Sequence, residues 1–290
     1  MVKTDRGFYI MSTIDFCHIC PTPELNLVKG RDTHLVLAHL IEEDEAYRDF
    51  YMTLGEDRPE KVTLIMDNSA FEMFKRGDPM YPTEKLIDMA GLIDADYVVM
   101  SDYPGESGVK TMKAAEKMIP KLKDNGYGTF FCPQGIPGDI EDLMAGYAWG
   151  FSHPEIDYIA VSILNIPLAF GVEQDNNLQR FTSRWRWMEM MGQRGFFEYD
   201  KKIHFLGMVD GPNEVDLVRN WHEVITTWDS SAAIWCGMNK IKFDNSPTGL
   251  MNGKYEKEVD FNQHAVDSES IAYAKYNMEV IDRMCTYAEG

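Results

Sequence analysis

The sequence lacks the two common glycine-rich phosphate loops. Neither GxGxxG nor GxxxxGK followed by Ser or Thr occurs in its 290 residues, which argues against nucleotide binding of either kind. It also has no apolar run close to the roughly 18 residues that a membrane helix needs. The first residues, MVKTDRGFYIMST, lack the apolar core of a secretory signal. We therefore expect a cytoplasmic protein that does not bind a membrane.

Basic residues and cysteines are scarce. Lys and Arg number 28 against 47 Asp and Glu, which gives a net charge of -19. This charge argues against broad, nonspecific binding to nucleic acid but is compatible with a local basic surface. An odd number of cysteines predicts free thiols in a reducing compartment. The five are Cys17, Cys20, Cys132, Cys236 and Cys285.

Short apolar runs alternate with longer helix-like stretches, which is the rhythm of a parallel sheet with crossover helices. This rhythm and the chain length predict an α/β protein: a single-domain (β/α)8 barrel of the TIM type over residues 1–290. An open, doubly wound sheet is the alternative, although it usually carries a glycine-rich loop after its first strand. Seven strands are predicted, at His34–Ala38, Val62–Met66, Tyr97–Met100, Gly128–Cys132, Tyr158–Val161, Lys202–Leu206 and Thr226–Trp228.

The eighth strand has two candidates, Ile234–Gly237 and Lys240–Phe243. The long segment from Leu164 to Lys202, after the fifth predicted strand, is interpreted as an insertion in the barrel. Helical periodicity and helix boundary signals predict the remaining elements. These helices are Glu42–Leu54, Pro82–Ile93, Gly108–Asn125, Ile136–Phe151, Pro212–Trp221 and Asp267–Tyr287.

Polar or small residues stand at or just after the ends of six predicted strands. Strand carboxyl ends converge on one face of such a barrel, where barrel enzymes place their chemistry. Taken singly, each residue has an ordinary explanation, as a helix cap or as part of a turn. Taken in order, they predict one shared pocket. The six are Asp67, Asp102, Gln134, Ser162, Gly207 and Asp229.

This order resembles the tRNA-guanine transglycosylase superfamily. Residues 67–72 (DNSAFE) are similar to the family's motif Asp-Ser-Gly-Gly-Phe-Gln, and Gln134 with Gly135 resembles its Gln-Gly element. Residues 205–212 (FLGMVDGP) are similar to its Leu-Met-Gly-Val-Gly-x-Pro stretch, and Asp229 matches its nucleophilic aspartate at a strand end. The similarity covers roughly residues 35–243, and only these motifs are specific.

The resemblance implies a role for each of these residues. Asp229 would be the nucleophile that attacks C1′ of a guanosine nucleotide, and Asp67 the general acid and base for the leaving and entering bases. Two carboxylates in different environments can divide such roles around an oxocarbenium-like transition state. The base would be bound by Asp102, Gln134, Phe71 and the backbone near Ser162 and Gly207.

The sequence departs from the family pattern at several positions. Asn68, Ser69 and Ala70 stand where the motif has Ser-Gly-Gly, Glu72 replaces the usual glutamine, and Ser162 stands where the family has a glycine. These departures fall within and beside the expected base site, so they bear on which base the pocket accepts.

The family's tRNA enzymes carry a zinc site late in the chain, made by CxCxxC and a histidine. After the predicted nucleophile this chain has only Cys236, His264 and Cys285 of these residue types, a spacing that does not make a four-ligand site. The CHIC run at 17–20 lacks a second ligand pair. We therefore expect no metal and no cofactor.

In lacking both the zinc site and an RNA-binding domain, the chain resembles the phage and bacterial branch of the superfamily, the DpdA-type transglycosylases. These exchange guanine in DNA for a 7-deazaguanine such as preQ0. The resemblance implies DNA as a partner, with its guanine flipped out of the duplex or already single-stranded. It also implies a free 7-deazaguanine base as co-substrate and further modification proteins as partners. The compartment would be the cytoplasm, that of the host if the protein is phage-encoded.

A local basic segment interrupts the acidic chain at residues 176–202, with a balance of +3 and interleaved aromatic side chains. Basic groups bind phosphates and aromatic faces stack on unpaired bases, which predicts a nucleic-acid surface. An amphipathic helix packed on the barrel is the alternative. The predicted contacts are Arg180, Arg184, Arg186, Arg194, Lys201 and Lys202, with Lys240, Lys242, Lys254 and Lys257 extending the track.

Three other functions compete with exchange on DNA. The same chemistry on tRNA is the nearest rival, and a non-catalytic subunit of a nucleic-acid complex is the second. A barrel glycoside hydrolase that uses Asp67 and Asp229 as its two carboxylates is the third. The presence of both carboxylates favours catalysis, while Asp102 and Gln134 have no evident use in a glycoside hydrolase.

Overall fold

The computed structural model describes residues 13–173, 176–208, 211–243 and 259–286, without the side chains of Asn177 and Phe181. Eight parallel strands alternate with helices in a nearly closed barrel, so the predicted (β/α)8 class is confirmed. The strands form one sheet in the order β1-β8-β7-β6-β5-β4-β3-β2. They are β1 (Asp15–His18), β2 (Thr33–Leu37), β3 (Thr63–Asp67), β4 (Tyr97–Val99), β5 (Gly128–Phe131), β6 (Tyr158–Ser162), β7 (Lys202–Leu206) and β8 (Ile225–Ser230).

Helices surround the barrel, and short 3-10 turns lie at Thr22–Leu27, Phe196–Glu198 and Arg219–Trp221. None of the helices in the described part of the chain is long and apolar enough to span a membrane. The helices are α1 (Ala38–Glu43), α2 (Glu45–Asp57), α3 (Ala70–Arg76), α4 (Thr83–Leu92), α5 (Gly108–Asp124), α6 (Ile140–Ser152), α7 (Asn165–Ala169), α8 (Asn177–Gln193), α9 (Pro212–Leu217), α10 (Ala232–Met238) and α11 (Ser268–Cys285).

The seven predicted strands are all present, but both candidates for the eighth are wrong. Ile234–Gly237 lies inside α10, and Lys240–Phe243 follows that helix without forming a strand. A short apolar run fits a buried helix as well as a strand, so periodicity did not separate the two. The eighth strand is β1, near the start of the chain. The segment from Leu164 to Lys202 consequently follows the sixth strand of the barrel, where it forms α7 and α8.

The outer helices bury one face, as α5 illustrates. Its buried positions Thr111, Ala115, Met118 and Leu122 recur every three or four residues and face the sheet. The hydroxyl of Ser107 accepts a hydrogen bond from the Val109 N–H and so caps the start of the helix. This periodicity fixes which side of the helix packs on the barrel.

The last helix, α11, packs across the two ends of the strand series. Asp282 on this helix forms a hydrogen bond with His18 Nε2 in β1 at 3.1 Å and an ion pair with Arg31, just before β2. Gly237 of α10 lies directly against the backbone of α11 at Ala274. The two C-terminal helices therefore cover the junction at which the barrel closes.

Candidate active site

Two carboxylates lie at the carboxyl ends of β3 and β8, which are the second strands on either side of the barrel junction. Asp67 is the last residue of β3, and Asp229 is the second-last residue of β8. Because all eight strands are parallel, both side chains lie at the same end of the barrel. Their residues are 9% and 8% exposed, so the site is a recess rather than an open surface.

The turn after β3 holds Asp67. Its Oδ2 accepts a hydrogen bond from the Ser69 N–H at 2.8 Å, and Ser69 has left-handed backbone geometry with φ 54°. The Ser69 hydroxyl pairs with Nδ1 of His39 at 2.9 Å and accepts a bond from the His39 N–H at 3.1 Å. Burial, followed by the charge of Glu72, raises the pKa of Asp67 well above its usual range. This favours the protonated form of Asp67.

Glu72 is a third carboxylate of the same cluster, although the sequence alone gave it no role. It lies in the first turn of α3, directly after the β3 turn. Burial raises its pKa to about 7, and the charge of Asp229 adds to this increase. Asp229 and Asp102 also contribute to the raised pKa of Asp67. The acidic groups therefore share one electrostatic environment, in which a proton on one affects the others.

Asp229 is held by two hydrogen-bond donors on β7 and just after it. The Gly207 N–H donates to Asp229 Oδ1 at 3.0 Å, and Nε2 of the fully buried His204 lies 3.0 Å from the same oxygen. The other ring nitrogen of His204, Nδ1, lies 2.7 Å from Thr227 Oγ1. Among the described residues, Asp229 Oδ2 has no hydrogen-bond partner.

Backbone geometry explains why position 207 is a glycine. Its φ of 68° is left-handed, and an added Cβ would lie 2.6 Å from Ile163 Cγ2. The sequence assigned the backbone here to base binding. The structure instead directs the Gly207 N–H to Asp229, so this donor is already in use.

Asp102 lies just after β4 between two side-chain amides. Its Oδ1 accepts a hydrogen bond from Asn68 Nδ2 at 2.6 Å, and its Oδ2 accepts one from Gln134 Nε2. Burial raises the pKa of Asp102 to about 6, while both amide bonds oppose this increase. The predicted pair Asp102 and Gln134 is therefore in direct contact. Gln134 Oε1 is buried and has no partner among the described residues.

The other two predicted base-binding residues differ in position. Ser162 ends β6, and its hydroxyl accepts hydrogen bonds from the N–H groups of Leu164 and Asn165 at 3.1 and 3.3 Å. Ser162 thus holds the turn into α7. Phe71 lies on α3 directly before Glu72 and is 48% exposed, with Lys75 Nζ 5.9 Å from its ring centroid.

The nucleic-acid role predicted for Arg184 is wrong, and Arg180 is also buried. Arg184 has no exposed surface: its Nε pairs with Glu214 Oε1 at 2.7 Å, and its other nitrogens donate to backbone carbonyls. The physical reason is the orientation of α8, which turns Arg184 toward the barrel together with Trp187 and Met188. A phosphate has no access to this guanidinium.

Lys202 does not belong to the predicted surface either. It is the first residue of β7, so it lies at the amino end of the strands, opposite Asp229. Its Nζ donates to the Tyr97 hydroxyl at 2.8 Å, at the start of β4. The neighbouring Lys201 donates to the carbonyls of His153 and Ile156. The direction of β7 therefore separates both lysines from the candidate site.

The remaining predicted cations that the structure describes each have a partner within the protein. Arg186 is exposed and lies 4.8 Å from the Phe170 ring centroid. Arg194 is exposed within 3.6 Å of Glu141, Lys240 pairs with Asp267 and Glu269, and Lys242 lies over Tyr276 at 4.0 Å. Lys254 and Lys257 lie outside the described residues.

The sequence analysis missed His204 and Asn68 as site residues. His204 is a polar residue inside an apolar strand, and Thr227 and Asp229 alternate on the neighbouring strand so that both face it. That pattern is the signal that could have identified it. Asn68 has no signal of this kind in the sequence, yet its amide joins the β3 turn to Asp102.

No group of three or more His, Cys, Asp or Glu in the described ranges has the arrangement of a metal site. The five cysteines are free and buried. Among known proteins, no family model and no curated sequence matches the chain.

Proposed function

We propose that the protein is a base-exchange transglycosylase, of the kind found in the tRNA-guanine transglycosylase superfamily, that replaces guanine in DNA with a 7-deazaguanine. The observation that carries the proposal is the pairing of two features at one end of the barrel. One is the carboxylate cluster of Asp67, Glu72 and Asp229. The other is the Asp102–Gln134 pair, which suits the edge of a purine-like base.

The Asp102–Gln134 pair offers acceptors to a base. The Asp102 carboxylate accepts hydrogen bonds from both amides, and the Cys132 thiol and the Asp102 N–H also hydrogen-bond to it. The ring N–H or the exocyclic amine of a guanine or a 7-deazaguanine would bind the carboxylate by taking the place of one or more of these donors. Gln134 Oε1 adds a further buried acceptor whose burial is costly until it is paired. A ligand rich in N–H donors would satisfy these groups.

The first displacement would release guanine. Asp229 Oδ2 attacks C1′, a C1′–O bond forms, and the C1′–N9 bond breaks with its electron pair passing to the base. The raised pKa of Asp67 supports it as the acid that protonates the departing guanine. The products are a nucleotide esterified to Asp229, free guanine and ionised Asp67.

The second displacement would reverse these changes. Ionised Asp67 takes the N9 proton of the incoming 7-deazaguanine, N9 attacks C1′, and the C1′–O bond breaks to regenerate the Asp229 carboxylate. Two inversions at C1′ give net retention of configuration. Both aspartates return to their starting protonation states, so no cofactor is consumed.

The recessed site also restricts the substrate. A guanine stacked inside a duplex would not reach carboxylates that are only 8–9% exposed, so the base would have to be flipped out or single-stranded. The exposed ring of Phe71 provides a face on which a base can stack.

The test is incorporation of radiolabelled preQ0 by the purified protein, compared on duplex DNA, single-stranded DNA and tRNA. We expect signal on DNA. Signal on tRNA alone would move the protein to the RNA-acting branch, and hydrolysis of small glycosides without exchange would support the glycoside hydrolase. Failure on all three nucleic acids would contradict the proposal.

Two variants and a control assign the roles. Asp229→Ala should abolish both exchange and the covalent adduct, and Asp102→Asn should mainly weaken binding of the free base. Asp88→Ala removes an exposed carboxylate from α4 and should leave both unchanged. Exchange at the normal rate by Asp229→Ala would refute the assignment of Asp229 as the nucleophile.

A further inference from the structure

The two oxygens of Asp229 have different surroundings. Oδ1 lies 3.0 Å from both the Gly207 nitrogen and His204 Nε2, whereas Oδ2 has no hydrogen-bond partner among the described residues. Two donors on one oxygen fix the plane of the carboxylate and concentrate its hydrogen bonding on one side. The second oxygen keeps its lone pairs available to an electrophile.

One of the two donors belongs to a peptide group that is bonded at both ends. The Leu206 carbonyl accepts a hydrogen bond from Arg184 Nη1 at 2.9 Å. The N–H of the same Leu206–Gly207 peptide donates to Asp229 Oδ1. A cation at the carbonyl polarises the amide and strengthens its N–H as a donor, because linked hydrogen bonds polarise one another. Arg184 is thus connected to Asp229 through a single peptide.

The position of Arg184 is tightly determined. Its Nη2 donates to the Gly207 carbonyl at 2.9 Å, and its Nε donates to Glu214 Oε1 on α9 at 2.7 Å. The guanidinium carbon lies 4.7 Å from the ring centroid of Phe205 and 5.4 Å from that of Trp228. A fully buried ion pair contributes little net stability relative to an apolar pair of similar volume. Its place beside the strand ends is therefore better explained by what it holds.

We propose that Arg184 is a positioning residue that acts on Asp229 through the Leu206–Gly207 peptide, and that it and His204 together leave Oδ2 as the reactive oxygen. The reactivity of Oδ2 rests on the proposed transglycosylase function, whereas the connection between Arg184 and Asp229 does not. We assign the Nε2–H tautomer to His204, because an ionised carboxylate only accepts hydrogen bonds. Nδ1 then accepts from the Thr227 hydroxyl.

The first experiment is independent of catalysis. Amide and histidine 15N NMR spectra would be compared between the wild-type protein and Arg184→Gln/Glu214→Gln, which removes both charges and leaves neither buried ion unpaired. We expect the Gly207 amide proton to move upfield in the variant, and His204 to show the Nε2–H tautomer in the wild-type protein. The matched control, Arg58→Gln/Asp96→Asn, removes an ion pair before β4 and should leave the Gly207 signal in place.

The second experiment measures the chemical step. Single-turnover formation of the Asp229 adduct should fall about tenfold in the Arg184→Gln/Glu214→Gln variant, while affinity for free preQ0 stays unchanged. His204→Leu should likewise slow formation of the adduct without changing the affinity for free preQ0. His204→Gln retains a side-chain N–H donor and should recover much of the rate. This rescue separates positioning of Asp229 from a general loss of packing.

The outcomes distinguish the two proposals. An unchanged Gly207 signal together with a normal adduct rate in the folded double variant would overturn the role of Arg184. If that variant does not fold, equal adduct rates in His204→Leu and the wild-type protein would overturn the arrangement around Oδ1. If the wild-type protein forms no adduct but the Gly207 signal moves as expected, the connection stands and the transglycosylase function fails.

Discussion

The charge of Glu72 is, after burial itself, the largest factor that raises the pKa of Asp67. The two residues lie on either side of the turn that joins β3 to α3. A glutamine at this position could not have this effect, because its side chain is uncharged. Glu72 therefore tunes the pKa of the proposed acid rather than merely lining the recess.

Glu72→Gln should shift the pH dependence of base release. Without the neighbouring negative charge the pKa of Asp67 falls, so its protonated form is lost at a lower pH. The alkaline limb of the single-turnover profile should move to lower pH, and the ionisation of Glu72 itself near pH 7 should disappear. Glu106→Gln, which alters an exposed ion pair on the surface, is the control. Superimposable pH profiles for Glu72→Gln and the wild-type protein would show that the charge of Glu72 does not affect the pKa of Asp67.

Asp102 should make base affinity depend on pH. Its ionised form accepts the N–H groups of a base more strongly than the protonated carboxyl, in which one oxygen becomes a donor, and its pKa is about 6. Affinity for free preQ0, measured by calorimetry, should therefore decrease as the pH falls below 6. Asp102→Asn should bind more weakly and show no such decrease. A wild-type affinity that stays constant from about pH 5 to about pH 8, from roughly one unit below this pKa to two units above it, would exclude Asp102 as a base acceptor.

The same raised pKa makes a prediction about stability. The folded carboxyl of Asp102 holds its proton up to about pH 6, whereas the unfolded group releases it near 3.8. The folded state binds more protons in this interval, so the free energy of unfolding falls as the pH rises, by about 3 kcal/mol from this group. The free energy of unfolding of Asp102→Asn, measured with urea at each pH, should not show this decrease. Parallel curves for the variant and the wild-type protein would count against the raised pKa.

Ser69 can be tested with a pair of substitutions. Ser69→Ala loses both hydrogen bonds to His39 and keeps the left-handed backbone, which should cost about 1–3 kcal/mol. Ser69→Gly loses the same bonds but relieves a strain of about 1–2 kcal/mol at φ 54°. We expect the alanine variant to be the less stable of the two in chemical denaturation. The reverse order would show that the strain at Ser69 is negligible.

Two exposed basic residues, Arg186 and Lys202, test where the proposed DNA partner would bind. Arg186 is exposed on α8, whereas Lys202 lies at the amino ends of the strands, away from the recess. If Arg186 contacts one phosphate, the plot of log binding constant against log salt concentration should be less steep for Arg186→Ala, by about 0.9 in its slope. Lys202→Ala should leave affinity and slope unchanged. A larger effect from Lys202→Ala would place the nucleic acid at the other end of the barrel.

Local signals predicted some helices closely, whereas the short helix α10 and the strand β1 were not predicted. The helix predicted at Gly108–Asn125 is observed at Gly108–Asp124, because its cap at Ser107 and its apolar periodicity are properties of the segment itself. β1 has only four residues, and it is a strand because it pairs with β8 near the other end of the chain. The four residues of β1, DFCH, do not by themselves indicate that they pair with β8.

In the candidate site, too, features set by local sequence were predictable and features set by long-range packing were not. Placing Asp67, Asp102 and Asp229 at strand ends required only strand direction, and the structure places them there. The orientation of Arg184 depends on how α8 packs, which composition does not reveal. An arginine in a basic segment predicts a surface charge, whereas the buried ion pair with Glu214 on α9 holds Arg184 in the interior.

Gly237→Ala should weaken the packing that covers the barrel junction. An added Cβ would lie 2.1 Å from the backbone nitrogen of Ala274, so α10 and α11 would have to separate. Backbone cannot move aside as a side-chain end can, and we expect a loss of about 3 kcal/mol or more in the free energy of unfolding. Gly30→Ala is the control, since its Cβ would meet no atom within 4 Å. Equal melting temperatures for the two variants would show that the α10–α11 contact contributes little to stability.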